Sequence, residues 1–367
     1  MCFGIVIPDY ALALAPGDVI EDGSPIFTDT SAAFAPNGFG APSMSWDARL
    51  NRWVAILEYQ SAATDPACPH GIWGLALSTT TDPDGASGWT APQILFEPSV
   101  DGSYRSCVAA HPATLWLYSA AGTTNNRRLI VLFKAETDTT VAAGTCPVGV
   151  NINDCTYTGI GRLGVVFNVA GNLSTTSLSG SPAISITEPF GFQSPIQQAG
   201  IGQYLILVQK EIPPAVVGGP TTFGIYSTTA TNPNLIWSPL TLVQSPGADS
   251  WNQDELFNPE ITCSNTPGEL ISFQGGRTWG VGTSIVEAGW SEMSSVDNGV
   301  TWTLGPTPIV TWFDNYDWRH WTFSRVGPDD YFIWFVRKNA ATNHLEIHRA
   351  EALGTGTVGT PIDRRCL

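Results

Sequence analysis

Ser295-Val296-Asp297-Asn298-Gly299-Val300-Thr301-Trp302 reads S-x-D-x-G-x-T-W. Asp and Gly at this spacing build a tight turn between two strands. The Ser and Asp side chains bond backbone groups there, and the Trp packs beneath the turn. Such a segment speaks first to fold: it fixes a hairpin, and it touches function only through the architecture that hairpin belongs to.

The composition around it agrees. The 367 residues include 37 Gly, 27 Pro and 14 Trp, against 13% charged residues. Turn formers and aromatics in these proportions suit many short strands joined by tight turns. No run of about 18 apolar residues marks a membrane-spanning helix, and no membrane partner is expected. No amphipathic 3.6-residue pattern persists beyond a couple of turns. The chain reads as all-β. A net charge of −16 argues against nucleic acid, which needs a basic face. Lysine occurs only at Lys134, Lys210 and Lys338.

A repeat runs through the chain. Five segments start a short strand behind a polar loop: Ala41-Pro42-Ser43, His111-Pro112-Ala113, Ser194-Pro195-Ile196, Asn258-Pro259-Glu260 and Arg319-His320-Trp321. Each is followed by a second hydrophobic strand: WVAILEY from Trp53, LIVLFKA from Leu129, YLILVQK from Tyr204, ELISFQG from Glu269 and YFIWFVR from Tyr331. A third strand follows, and then a fourth, usually introduced by a Trp, as at Trp89, Trp237 and Trp302. Four strands, five times over, describe a single-domain β-propeller of five four-stranded blades. The blades fall near 39-100, 107-185, 190-246, 255-311 and 315-367, with a closing strand near 23-28. Six blades is the alternative, the first 35 residues then forming most of an extra sheet.

Seven cysteines suggest an oxidising compartment, so a secreted protein whose signal peptide is replaced by an initiator Met is expected. A reduced cytoplasmic protein is the other reading. The expected bridges are Cys2–Cys366, which fastens the ring, Cys68–Cys107 and Cys146–Cys155. Cys263 is left as a buried thiol.

In a propeller, the loops leading into the innermost strands and those joining second to third strands meet around the axis, the default place for a ligand. They gather carboxylates, aromatics, arginines and histidines here, which suits a poly- or oligosaccharide. The catalytic candidates are Asp254, Glu255, Glu260 and Asp317, with His111 and His320. Arg105, Trp251, Asn258, Arg277, Trp318 and Arg319 are the candidates for holding sugar. Hydrolysis of a glycosidic bond would use one protonated carboxyl and one carboxylate. Loops that differ between blades point to one central site and a monomer, whereas a non-catalytic lectin would repeat its pocket in every blade. No cofactor is required. Calcium in an Asp-rich loop near the axis is the one structural ion considered. His344, Glu346 and His348, on one face of a strand, form a weaker metal constellation.

The turn at Ser295–Trp302 resembles the Asp-box of sialidases and related β-propellers. In that family the box lies on the outer part of a blade, away from substrate. The resemblance ends there: Arg105, Arg277 and Arg319 could form an arginine triad by position, but no FRIP-like segment is present. The blade pattern also resembles the five-bladed glycoside hydrolases of the arabinanase and β-xylosidase type. Those carry a catalytic carboxylate before the inner-strand proline of the first and third blades, and often a histidine in the last. His320 fits, but Ala41 and Ser194 stand where acids would be, so that acid and base do not transfer. Propeller polysaccharide lyases are a third comparison. They take a proton beside a uronate carboxylate with a His or Tyr base, and His111, Tyr104, Arg105 and His320 are the right residue types.

Overall fold

The computed structural model describes residues 14, 18–48, 50–66, 68, 71–98, 107–117, 127–136, 159–167, 173–176, 182–186, 190–213, 222–232, 237–264, 266–280, 285–312, 318, 320–327, 330–354, 361 and 365–366. Among them there is no α-helix. A short strand β1 (Val19–Glu21) comes first. Then follow four antiparallel units: β2 (Phe39–Asp47), β3 (Arg52–Gln60), β4 (Trp73–Thr80) and β5 (Gln93–Phe96); β6 (Val108–Leu117), β7 (Arg127–Glu136), β8 (Gly159–Phe167) and β9 (Leu173–Thr176); β10 (Phe190–Gln198), β11 (Gln203–Ile212), β12 (Thr222–Ala230) and β13 (Thr241–Gln244); β14 (Glu255–Cys263), β15 (Leu270–Trp279) and β16 (Ile285–Ser295), on whose outer edge lie both β17 (Thr303–Leu304) and β18 (Val310–Trp312). A fifth unit, β19 (Trp321–Arg325), β20 (Asp330–Lys338) and β21 (Leu345–Leu353), takes β1 as its outer strand. The last strand, β22 (Arg365–Cys366), runs parallel to β10.

The first strands of these units lie side by side in a closed order: β2 on β6, β6 on β10, β10 on β14, β14 on β19, and β19 back on β2. Strand periodicity explains the circle, because successive side chains point to opposite faces. On β3, Trp53 and Leu57 pack towards Phe332 and Trp334 of the fifth unit, while Val54 and Ile56 pack towards Val131 and Phe133 of the second. On β11, Ile206 and Val208 meet Ile130 and Leu132, and Leu205 and Leu207 meet Ile261 and Leu270. Phe273 and Trp290 complete the set against Phe323 and Tyr331. Each second strand is thus apolar on both faces, which is why it reads as a continuous hydrophobic run. Small hydroxyls tie the first strands together near the axis: Ser43 and Ser45 both reach Thr114, and Ser194 Oγ accepts the Ile261 N–H at 3.0 Å.

The turn from Ser295 to Trp302 behaves as its chemistry requires. Asp297 Oδ1 accepts the N–H groups of Val300 (3.1 Å) and Thr301 (2.8 Å), and Oδ2 accepts the Thr301 hydroxyl (2.6 Å). Trp302 Nε1 donates to the Gly299 carbonyl, and Gly299 has φ +84°, a conformation open chiefly to glycine. Partial burial pushes the Asp297 carboxyl upward. The hydrogen bonds from Thr301, Ser295 and Val300 outweigh it and hold the group below the ordinary Asp value. The same turn occurs in the first unit with two residues inserted. Thr80 Oγ1 accepts the Asp82 N–H, Asp82 Oδ2 accepts both the N–H and the hydroxyl of Ser87, and Trp89 Nε1 donates to Gly85 O. By register, Ser295 lies opposite Leu270, at the end of the fourth sheet where β14 finishes with Cys263.

The cysteines correct one expectation. Cys68–Cys107 is bridged as expected. Cys263 is not free: it is bonded to Cys366, so Cys366 is not the partner of Cys2. The reason is topological. β22 pairs with the far end of β10, at Gln197 and Gln198, and this places Cys366 beside the end of β14. Cys2, Cys146 and Cys155 lie outside the described residues.

Candidate functional site

Four first strands break register near their leading ends, between Phe39 and Pro42, Ala110 and Ala113, Phe190 and Gln193, and Phe257 and Glu260. A bulge of this kind bends the strand and re-aims a side chain. Two of the four also house a proline, Pro112 and Pro259, which has no N–H to give the ladder. Pro42 and Pro195 are instead paired beyond the bulge, so the proline pattern of the sequence is not in register across the units. The first bulge residue is Gly40, His111, Gly191 or Asn258. His111 and Asn258 both adopt φ +48°, a region that few residues other than glycine enter, Asn and His among the most frequent. Held backbone strain of this kind gathers at functional sites.

The two glycines serve a close approach. A Cβ on Gly40 would lie 2.7 Å from Glu58 Oε1, and one on Gly191 would lie 2.3 Å from Gln209 Oε1. Across these gaps the two side chains reach the next unit. Glu58 Oε2 accepts the His111 N–H at 2.7 Å, and Gln209 Oε1 takes the Asn258 N–H at 3.5 Å.

Three rings from three units then meet. His111 stacks on Phe192 with centroids 4.0 Å apart and 13° between planes. His320, just ahead of β19, lies 4.6 Å from Phe192 and 5.4 Å from His111. Gln193 Nε2 donates to the His111 carbonyl, and His111 Nε2 stands 3.8 Å from Glu58 Oε2. Beside the rings is a second cluster. Gln209 Nε2 donates to Glu255 Oε1 at 2.8 Å, and Arg277 Nη1 is 3.9 Å from Glu255 Oε2. The Arg277 guanidinium lies over Phe257 (3.9 Å) and near Trp279 (5.5 Å), an arrangement that orients a cation without neutralising it. Asn258 Nδ2 donates to Trp321 O. Further along β14, Glu260 Oε1 accepts the Thr322 hydroxyl.

Of the residues singled out by sequence, the structure brings His111, His320, Asn258, Glu255, Glu260 and Arg277 to the leading ends of the first strands and their neighbours. Asp254 is turned aside: its Oδ2 accepts the Trp279 N–H at 2.8 Å. Trp251 and Trp318 are core residues here and present no face to a sugar. Trp251 is 2% exposed and donates to Pro306 O; Trp318 is 3% exposed and stacks on Phe335 at 3.8 Å. Asp317, Arg105 and Arg319 lie outside the described residues. The His344–Glu346–His348 constellation divides: His344 Nδ1 meets Asp29 Oδ2 at 2.6 Å, while His348 Nε2 meets Glu346 Oε2 at 3.3 Å. Among the described residues no three His, Cys, Asp or Glu side chains form a metal-holding group. Glu58, not among the residues singled out, also reaches this end of the sheets. Its signal was a lone acid inside the apolar strand WVAILEY.

No family model matches this sequence, and no curated protein matches it. Solved structures do. A family 117 glycoside hydrolase from the marine bacterium Zobellia galactanivorans superposes with a TM-score of 0.57 at 10% identity, over 95% of this chain and 93% of that one. A glycosyl hydrolase from Bacteroides ovatus gives 0.53 at 10% identity, over 97% and 98%. An α-L-arabinofuranosidase from Lactobacillus brevis gives 0.50 at 12% identity, over 85% and 90%. Across nearly its whole length, this chain is similar in its all-β fold to glycoside hydrolases.

Proposed function

We propose that the chain is a five-bladed β-propeller that hydrolyses glycosidic bonds in an extracellular polysaccharide, with its active site where the first strands begin. The closed order of five first strands supports the blade count. The observation that carries the function is the meeting, at that end, of side chains from separate units: Glu255 with Gln209 and Arg277, beside the His111–Phe192–His320 rings. Carboxylate, guanidinium and amide groups are the donors and acceptors that a rim of sugar hydroxyls requires, and Phe192 adds an apolar surface. Hydrolysis needs a proton for the leaving oxygen and a base or nucleophile opposite. Glu255 and Glu260 are the described carboxylates assigned to that work, with Arg277 and Asn258 holding sugar. Two disulfides accord with a secreted protein.

One observation favours a second reading. A histidine beside a carboxylate, as His111 is beside Glu58, also suits proton abstraction next to a uronate, and so a lyase. A panel of neutral and uronate-containing polysaccharides separates the two. Reducing ends released without ultraviolet absorbance mean hydrolysis, and reducing ends with an absorbing unsaturated uronate mean elimination. Release from none of them would refute both.

A further inference from the structure

Glu58 and Gln209 hold equivalent places in the first and third units. Each crosses a glycine of its own first strand, and each accepts the bulge N–H of the next. Gln209 shows that an amide suffices for that bond. A carboxylate costs more to bury than an amide, and Glu58 is only 5% exposed. The backbone N–H therefore does not account for the charge at position 58. Gln209 also donates from Nε2 to Glu255, and the receiving residues differ as well. Asn258 carries a neutral amide turned to Trp321 O, whereas His111 carries an imidazole whose Nε2 stands 3.8 Å from the same carboxylate oxygen that takes its N–H.

We infer that Glu58 is a positioning residue for His111, orienting the imidazole and stabilising its protonated form, so that the two act as a proton-handling pair at the ring entrance, beside the carboxylates of Glu255 and Glu260. A proton moves from a bound hydroxyl or water to His111 Nε2 and back, Nδ1 being buried. Only O–H and N–H bonds are exchanged, and Glu58 stays ionised throughout. Glu58 from β3 and His320 ahead of β19 are ionisable groups beside the His111 ring; Phe192 and Gln193 of β10 are neutral. The use of the pair rests on the glycan-cleaving reading above, but its existence does not.

Glu58→Gln is the test, since Gln209 shows that an amide fits this place. Ring-nitrogen NMR of 15N-histidine-labelled protein should show His111 losing its proton at a pH lower by about one unit or more in the variant. On a cleaved glycan, kcat should fall on the order of 100-fold while KM stays within a few-fold. Gly40→Ala is the second variant. Its Cβ would crowd Glu58 Oε1, moving the carboxylate without removing it, and both readouts should shift in the same direction by less. Identical His111 titration in wild type and Glu58→Gln would overturn the pairing, and a shifted titration with unchanged kcat would overturn its role. A shifted titration in a protein that cleaves no glycan would uphold the pair and sink the glycan reading instead.

Discussion

Replacing both Cys263 and Cys366 by alanine opens a loop of 103 residues in sequence separation. By loop-closure entropy, a bridge of that span disfavours the unfolded chain by about 4.7 kcal/mol at 25 °C. The 39-residue separation of Cys68 and Cys107 gives about 3.9 kcal/mol on the same formula. At about 2.1 cal/mol/K per residue, unfolding 367 residues carries an entropy near 0.77 kcal/mol/K, so the two losses correspond to Tm decreases of roughly 6 °C and 5 °C. Activity should part the variants. Cys263 ends β14 at the edge opposite Glu255, whereas Cys68 and Cys107 lie beside Trp73 and the start of β6, close to His111. Scanning calorimetry and turnover on one sample read both effects. A Tm change under 1 °C in the Cys263/Cys366 variant, or a free Cys263 thiol in an unreduced digest, would refute the placement of the C-terminal strand.

Three further outcomes follow from the geometry. Asp297→Ala and Asp82→Ala should each cost about 1–3 kcal/mol of stability through lost turn bonds and leave turnover per folded molecule unchanged. Both carboxyls sit below the ordinary Asp value, so this stability is present above about pH 4 and fades as pH falls through the folded-state values. Urea midpoints at neutral and acid pH check it, and a variant gap that widens in acid would contradict the sign. Asp254→Asn keeps an oxygen for the Trp279 N–H and should hold turnover within a few-fold of wild type; a loss of orders of magnitude would return Asp254 to the chemistry. Burial, with a contribution from Arg337, holds His348 below the usual histidine value of 6.5 despite Glu346. The fold therefore favours its neutral form, and stability should decline as pH drops below about 6.5. His348→Gln should flatten that decline in denaturant titrations, and an unaltered slope would show that other groups cause it.

The all-β fold was legible because the second strands are apolar runs and the first strands follow polar loops. The turn at Asp297 was legible because its spacing is unbroken. Its twin at Asp82 was not, since one residue is added between Asp and Gly and another before the Trp. Of the candidate site, the residues that carry their chemistry openly by type, His111, Asn258, Glu255 and Arg277, could be singled out from the sequence, and the structure brings them to one end of the sheets. The rest was hidden where register decides. Glu58 reaches the axis only because β2 bulges and Gly40 has no Cβ, and neither fact can be read from WVAILEY. Trp251 and Trp318 stand in leading loops by sequence, yet their indoles fold back into the core, the larger gain for so much apolar surface. The Cys263–Cys366 bridge depends on a two-residue parallel strand that no hydrophobic pattern announces.

The most direct test of the proposed glycan-cleaving site is the rate of reducing-end release by wild type and by Glu255→Gln, on the polysaccharide that wild type cleaves fastest and with Tm matched. An amide there could still bond Gln209, but it could neither carry charge beside Arg277 nor exchange a proton. The expected result is a loss on the order of 100-fold or more in kcat. Equal rates in the two proteins would contradict the account, because the carboxylate placed at the centre of the site would then take no part in the chemistry.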